Sequence, residues 1–279
     1  LENFKFKLTK DQISALENIN NDMKSKQKMF RLLQGDVGSG KTIVSIMAAL
    51  NAVKSGYQVS IMAPTEILAI QHYEFILKNF KKYCKPELLS SKTDYRKRKQ
   101  ILSDLSNNKI NILVGTHSLF QSKLSYFNLG LIIIDEQHKF GVNQRKKLSD
   151  KGGNNCDVLV MSATPIPRTM MMTVYGDMDV SLIKTKPKNR KPIKTYSKNE
   201  KKIDDVIKYI RRQILNKNQV FWVCPLINES KKIDHESAIQ KYKSLDKIFN
   251  NKVDIIHGSM DKNQKDLVLK KFKNKEIDI

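Results

Sequence analysis

Apolar residues near the start of the chain repeat with the spacing of a helix. Thr9 followed by Gln12 predicts a capping box at the first turn. Beyond it, apolar residues return every three or four positions, at Ile13, Leu16, Ile19 and Met23. This period is that of one face of an α-helix, so an amphipathic helix is expected here.

Strand-like and helix-like segments then alternate up to about residue 185. Short apolar runs predict strands at "FRLLQ", "YQVSIMAP", "INILVG", "LIIIDE" and "DVLVMSA". Helices are predicted at "KTIVSIMAALNAVKSG", which Gly56 closes, and at about 65–83 and 94–106. Apolar strands that alternate with helices favour an α/β fold with a parallel sheet covered on both faces.

A second α/β segment is predicted after an interruption. From about Leu182 to Thr195 the sequence is rich in Lys and Pro and has no periodicity, so we place a domain boundary there, between 1–185 and 186–279. Further strands are predicted at "PIKTY", "QVFWVCPLI" and "VDIIHG", and helices at about 199–215 and at "HESAIQKYKSLDKIFN". The final "KEIDI" resembles the opening of another strand, which predicts a second domain that is partial.

Composition narrows the class of protein. The 279 residues suffice for two domains. No apolar run approaches the roughly 18 residues of a membrane span, and the first residues lack a signal-peptide pattern. Cys84, Cys156 and Cys224 are widely spaced without a CxxC pair, which indicates neither a disulfide framework nor a zinc site. A reducing, cytoplasmic location is therefore expected, and the absence of an initial Met suggests a piece of a longer protein.

The charge balance is strongly basic. Lys and Arg number 51 against 28 Asp and Glu, which gives a formal net charge of +23. Such a surplus attracts polyanions, of which nucleic acid is the usual one. An AT-rich genome that favours Lys codons is an alternative explanation. The run "YRKRKQ" fits either a solvated helix face or a phosphate-binding patch.

A glycine-rich segment between a predicted strand and a predicted helix carries the clearest chemistry. "GDVGSGKT" matches GxxxxGK[ST], a pattern whose main-chain N–H groups form a nest for phosphate at the start of a helix. Lys41 would reach the β and γ phosphates of ATP, and the Thr42 hydroxyl would ligate Mg²⁺. An incidental glycine-rich connection is the alternative. The expected nucleotide site comprises Gly35, Asp36, Val37, Gly38, Ser39, Gly40, Lys41 and Thr42.

A second acidic group for the metal is expected at the end of a neighbouring strand. "LIIIDEQH" places Asp135 directly after four apolar residues, where its carboxylate could hold Mg²⁺. Glu136 follows and could accept a proton from the attacking water. Two carboxylates in a solvated turn are the alternative explanation.

The order of several motifs resembles that of the superfamily-two helicases, and of the RecG family of bacterial DNA helicases in particular. The motifs are "GDVGSGKT", "APTEILAIQHY", "VGTHSLF", "DEQHKFGVNQR" and "MSATPIPRT". Ser39, Gln137 and His138 match the RecG form better than that of the transcription-repair coupling factor. The resemblance implies two RecA-like domains and an ATP-driven translocase; the oligomeric state is unknown, and a monomer is favoured. Its substrate would be branched DNA, such as stalled forks and Holliday junctions, in recombination and repair.

The resemblance also implies roles for single residues. Gln12 corresponds to a glutamine that reads adenine, although capping of the first helix explains it equally well. Segments expected to contact DNA through the backbone contain Pro64, Thr65, Glu66, Gly115, Thr116, His117, His257 and Gly258. Thr65 could instead be a helix cap. Residues expected to couple the state of ATP to domain movement are Gln137, His138, Ser162, Ala163 and Thr164. Trp222 is expected in the core, on a buried strand.

Three rival interpretations stay open at the level of sequence. One is the transcription-repair coupling factor, and another is an RNA helicase, because backbone contacts discriminate the sugar poorly. The third is a nucleic-acid-binding module without ATPase activity. The arginine that stabilises charge on the γ phosphate in this family lies in a motif that the chain does not contain. Weak binding and slow turnover of ATP are therefore expected of the chain by itself.

Overall fold

The chain forms two compact units, Leu1–Lys191 and Pro192–Ile279. The computed structural model describes residues 7–116, 119, 124–135, 156–164, 178–185, 193–224 and 231–279. Each unit has its own cluster of buried apolar residues.

The first unit consists of helices and strands that alternate along most of its length. Its elements are α1 (Lys10–Lys24), β1 (Phe30–Gly35), α2 (Lys41–Lys54), β2 (Gln58–Met62), α3 (Glu66–Phe80), β3 (Pro86–Leu89), α4 (Tyr95–Ser106), β4 (Ile112–Gly115), β5 (Leu129–Ile134), β6 (Asp157–Ser162) and β7 (Asp179–Ile183). The strands form one sheet in the order β3-β4-β2-β5-β6-β1-β7, and each described pairing is parallel. All strands therefore end at the same edge.

Both faces of this sheet are covered, as the apolar runs predicted. In β5, Leu131 and Ile133 pack in a cluster with apolar residues of α1, α2 and α3. Ile132 and Ile134 point to the opposite face, where they pack with residues of α4. None of the four is more than 1% exposed. An unbroken apolar run is what such a doubly covered strand requires.

Local signals at the helix ends are also confirmed. Thr9 and Gln12 form the capping box at the start of α1. Gly56 has a φ of 88°, the left-handed conformation that commonly follows a helix, just beyond the end of α2. Thr65 caps α3 by accepting a hydrogen bond from the Leu68 N–H at 3.3 Å.

The sequence did not predict the two outer strands, β3 and β7. β3 has four residues and begins with Pro86, which suits an edge strand. β7 is held in place by α1, because the Asp11 carboxylate accepts hydrogen bonds from the main-chain N–H groups of Thr185 at 2.8 Å and Lys184 at 2.9 Å. These bonds, first that from Thr185, hold the pKa of Asp11 below its usual value. α3 also ends earlier than predicted, at Phe80.

A buried arginine joins the same two elements to β1. The Arg31 guanidinium forms an ion pair with Asp22 of α1 and donates a hydrogen bond to the Ser181 hydroxyl of β7 at 3.1 Å. Arg31 is 8% exposed. Polar contacts between α1, β1 and β7 therefore supplement their apolar packing.

The second unit contains three helices among its described residues, and the parts of "PIKTY", "QVFWVCPLI" and "VDIIHG" that the structure describes are not strands; residues 192 and 225–227 lie outside the described residues. The helices are α5 (Ile203–Leu215), which a short 3₁₀ turn precedes, α6 (Lys231–Phe249) and α7 (Lys262–Lys273). Extended segments are joined by isolated bonds, such as those from the Val220 N–H to the Asp278 carbonyl and from the Asp278 N–H to the Lys252 carbonyl, both 2.8 Å. Within the described residues of these segments, the bonds do not form a continuous strand ladder. Trp222 packs against the apolar cluster of this unit, but without a strand.

Candidate nucleotide-binding site

The glycine-rich loop joins β1 to α2 at the carboxyl edge of the sheet. Gly38 and Gly40 have φ values of 72° and 91°, which residues with a side chain rarely adopt. A Cβ at Gly40 would overlap the Gln12 amide, and one at Gly35 would lie 2.6 Å from the Ser39 hydroxyl. Glycine is therefore required at positions 35 and 40 for the loop to keep this path.

The start of α2 has the character of an anion site. Its first residue follows Gly40, and no side chain caps it. The uncapped first turn of a helix presents N–H groups and partial positive charge, which phosphate oxygens satisfy. The glycine-lined loop and this helix end therefore fit the phosphates of a nucleotide.

The side chain of Lys41 is bound to the main chain of the same loop. Its ammonium donates hydrogen bonds to the carbonyl oxygens of Gly35 at 2.6 Å and Asp36 at 3.2 Å. The residue is 8% exposed. A lysine charge is thus placed within the loop where phosphate would need neutralising.

Helix α1 contacts this loop through a residue predicted from the sequence. The Gln12 amide nitrogen donates to the Ser39 carbonyl at 2.7 Å, while its oxygen accepts from the Thr9 N–H at 2.9 Å. One side chain therefore both caps α1 and binds the loop. The two explanations that the sequence left open, capping and a role at the nucleotide, are compatible.

Asp135 lies at the same sheet edge but further from the loop than predicted. The strand next to β1 is β6, and β5 is one strand beyond it. With strands about 4.8 Å apart, the axes of β1 and β5 are separated by about 10 Å. The expectation that the aspartate follows a neighbouring strand is therefore wrong, because the chain order of strands is not their order in the sheet.

A histidine that the sequence analysis missed contacts this aspartate. His72 Nε2 lies 2.8 Å from Asp135 Oδ2, and the two side chains are 8% and 12% exposed. His72 belongs to the buried face of α3, together with Ala69, Ile76 and Phe80. A polar residue inside an apolar helical stripe was the available signal, since such a residue needs a partner.

The end of β6 lies between the loop and Asp135. Ser162 is buried, and its hydroxyl oxygen lies 3.0 Å from the Thr164 hydroxyl and accepts from the Thr164 N–H at 3.2 Å. The Gln34 amide of β1 donates to the Thr164 carbonyl at 3.0 Å. The predicted coupling residues Ser162, Ala163 and Thr164 are thus next to the strand that leads into the glycine-rich loop.

Two segments predicted to contact DNA are neighbours at this edge. The Ala63 N–H, just before Pro64, donates to the Gly115 carbonyl at 2.9 Å. A Cβ on Gly115 would lie 2.6 Å from the Leu89 carbonyl, so glycine is needed there. The stretch 64–66 follows β2, and Gly115 and Thr116 lie at the end of the adjacent strand β4.

Other predicted site residues lie elsewhere. His117, Glu136, Gln137 and His138 are outside the described residues. His257 and Gly258 belong to the second unit, in the turn before α7, where the Lys265 ammonium donates to the Gly258 carbonyl at 2.9 Å.

The described part of the chain contains neither a disulfide nor a cluster of metal-binding side chains. Cys84, Cys156 and Cys224 are free thiols, and burial raises the pKa of Cys84 to about 11 and of Cys156 to about 12. Among the described residues, no three His, Cys, Asp or Glu side chains are grouped as a metal site. No helix in those ranges has the length and apolar character needed to span a bilayer.

A parallel sheet with a lysine-bearing, glycine-rich loop after β1 and a carboxylate at the same edge defines a P-loop protein of RecA-like fold. The DEAD/DEAH box helicase family matches residues 9–173, and the chain belongs to this family.

Within the helicases, the chain is similar to RecG proteins. The chain is 44% identical over 275 residues to the ATP-dependent DNA helicase RecG of Bacillus subtilis, covering 98% of this chain and 40% of that protein. It is 43% identical over 282 residues to RecG of Thermotoga maritima, covering 100% and 36%. A solved structure of RecG bound to a three-way DNA junction matches with a TM-score of 0.81 and 39% identity, over 100% of this chain and 36% of that one. The resemblance to the RecG family is confirmed, and the chain spans about two fifths of the length of these relatives.

Proposed function

We propose that the first unit binds ATP with Mg²⁺ and hydrolyses it to drive movement along branched DNA, as a motor of the RecG type. The arrangement of Lys41, the glycine-rich loop and Asp135 at one sheet edge carries this proposal. ATP supplies the phosphoryl bond whose hydrolysis drives the movement.

Each residue at the sheet edge would bind a different part of the nucleotide and its metal ion. Lys41 would exchange the carbonyl oxygens of Gly35 and Asp36 for phosphate oxygens, which are stronger acceptors because they are charged. Thr42 and Asp135 would hold Mg²⁺, since hydroxyl and carboxylate oxygens are the ligands it prefers. Glu136, next along the chain, would take the proton of the attacking water.

Contacts with DNA are proposed for the loops beside this site. The two segments around Pro64 and Gly115 follow β2 and β4, which pair directly, so both could bind one DNA backbone. Ser162, Ala163 and Thr164, with Gln137 and His138, would relay the state of the nucleotide. We assign residues 1–185 to the ATP-binding domain and 186–279 to part of a second RecA-like domain, in which His257 and Gly258 would contact DNA.

Two properties support branched DNA as the substrate. The similarity to RecG extends over the whole chain, and the matched RecG structure was solved on a three-way junction. The net charge of +23 favours a polyanion in general.

Binding measurements test the proposal. Affinity for a duplex and for a three-way junction of the same strands is measured at fixed salt, with and without a non-hydrolysable ATP analogue and Mg²⁺. We expect DNA affinity to depend on the analogue, to be higher for the junction, and to lose its nucleotide dependence in Lys41→Ala. Equal affinities with and without the analogue would instead indicate a nucleic-acid-binding module without a motor. Equal affinities for duplex and junction would contradict branched DNA as the substrate, but they would not contradict the motor function.

A further inference from the structure

The buried contact between His72 and Asp135 joins a ring nitrogen to a carboxylate oxygen. His72 Nε2 lies 2.8 Å from Asp135 Oδ2, and in the Nε2–H tautomer the ring donates this hydrogen bond to the carboxylate. Both side chains are largely shielded from water, at 8% and 12% exposure. A hydrogen bond to a charged acceptor in such surroundings is among the stronger ones in proteins.

Packing alone does not explain a histidine at this position. The other buried residues of α3 are Ala69, Ile76 and Phe80, all apolar. An apolar side chain at position 72 would continue this face without the cost of burying a polar ring. The ring is satisfied here because Asp135 provides its acceptor.

Asp135 is fixed at two points by the segment that contains His72. Its main-chain N–H donates to the carbonyl of Met62, the last residue of β2, at 2.8 Å. Its side chain is held by His72 on α3, the helix that follows β2. Rotation of the carboxylate is therefore restricted, and Oδ2 is committed to the protein. In the proposed site, Oδ1 would be the oxygen that faces a metal ion or its bound water.

We propose that His72 is a positioning residue, which orients the Asp135 carboxylate for Mg²⁺ through the Nε2–Oδ2 hydrogen bond. Partners that orient metal-binding groups in this way commonly change metal affinity when they are removed. The inference rests on the proposed function, because it assumes that Asp135 holds the metal that accompanies ATP.

Two substitutions at position 72 separate the effect of the hydrogen bond from the effect of side-chain volume. His72→Leu fills the buried position and removes the donor. His72→Gln places an amide N–H at the same number of bonds from the main chain as Nε2. Ile76→Val is the matched control, because it alters the same buried face of α3 one turn away and leaves both partners of the contact intact.

Metal binding and nucleotide binding are measured separately in the 279-residue chain. Mn²⁺ affinity is followed by electron paramagnetic resonance with saturating ATP analogue, and analogue affinity is followed by fluorescence in EDTA. We expect His72→Leu to weaken Mn²⁺ binding about 10- to 100-fold. Nucleotide affinity in EDTA should stay unchanged, and His72→Gln should recover most of the metal affinity. Thermal unfolding identifies any variant that has lost its fold, and His72→Met, which also lacks an N–H donor, replaces the leucine variant if that one does not fold.

The possible failures are distinguishable. If the unsubstituted chain binds nucleotide and Mn²⁺ and His72→Leu does so equally well, His72 does not position Asp135, and the proposed function is unaffected. If Ile76→Val weakens Mn²⁺ binding as much as His72→Leu, the effect belongs to the packing of α3 and the inference is wrong. If the unsubstituted chain binds neither nucleotide nor Mn²⁺, the proposed function fails, and the inference fails with it.

Discussion

Gln12 of α1 donates a hydrogen bond to the main-chain carbonyl of Ser39 in the glycine-rich loop, across 2.7 Å. The same amide lies where a side chain on Gly40 would be, so the helix and the loop fit together only with glycine at that position. Gln12 is 4% exposed. The position of α1 and the shape of the loop are therefore coupled through one buried side chain.

Replacement of Gln12 by Ala should lower both stability and nucleotide affinity. The substitution removes half of the capping box and the bond to Ser39, which together should cost about 1–2 kcal/mol in the free energy of unfolding by urea. If Gln12 also reads adenine, affinity for ATP should fall more than affinity for GTP. Gln100→Ala is the control, because Gln100 bonds Asp104 on the exposed face of α4. Unchanged stability and affinity in Gln12→Ala would contradict the coupling.

Replacement of Lys41 by Ala should weaken ATP binding strongly. The ammonium is the group placed to neutralise phosphate charge, and its loss should slow any DNA-stimulated hydrolysis by about 100-fold or more. Lys54→Ala removes the same charge from the last turn of the same helix, at an exposed position, and should leave both quantities unchanged. Equal losses in the two variants would point to a general effect of net charge on substrate attraction.

The three cysteines should differ sharply in reactivity. Burial raises the pKa of Cys84 to about 11 and of Cys156 to about 12, so the reactive thiolate is scarce at pH 8, while Cys224 is exposed. An aromatic disulfide reagent at pH 8 should modify one thiol rapidly in the folded chain and all three in urea. Cys224→Ser should remove the rapid phase. Rapid modification of two or more thiols in the folded chain would show that the buried cysteines are accessible.

Replacement of Arg31 by Met should destabilise the first unit without touching the nucleotide site. The change leaves Asp22 without its ion pair and the Ser181 hydroxyl without a donor. We expect a loss of about 1–3 kcal/mol, below the value for a fully buried pair because Asp22 is partly exposed. Urea unfolding measures the loss, and affinity for ATP should not change. Arg96→Met, on the exposed face of α4, should leave stability within about 0.5 kcal/mol.

Whether a strand could be predicted from the sequence depends on how its two faces are covered in the sheet. β5 was predictable because both of its faces are buried, which requires an apolar run from Leu131 to Ile134. β7 was not, since Val180 and Leu182 are 36% and 48% exposed and its place is set by α1. "QVFWVC" has the composition of a strand but lacks the continuous ladder that would make it one.

In the candidate site, too, one part could be predicted from the sequence and another could not. The glycine-rich loop was predictable because its residues are consecutive and each has a steric or chemical reason. His72 was missed because its partner, Asp135, lies 63 positions away in the chain. The sequence could mark a polar residue on an apolar face, but no local pattern specifies which acceptor it will meet.

The hydrogen bonds from Lys184 and Thr185 to Asp11 join positions 173 and 174 residues apart. With the Arg31 contacts, they make the outermost strand dependent on the first helix. An excised version of the first unit would therefore need to start before Thr9 and continue past Thr185. A protease that cut between α1 and β1 would loosen the far edge of the sheet, since the peptide released would carry away the acceptor that holds that edge in place.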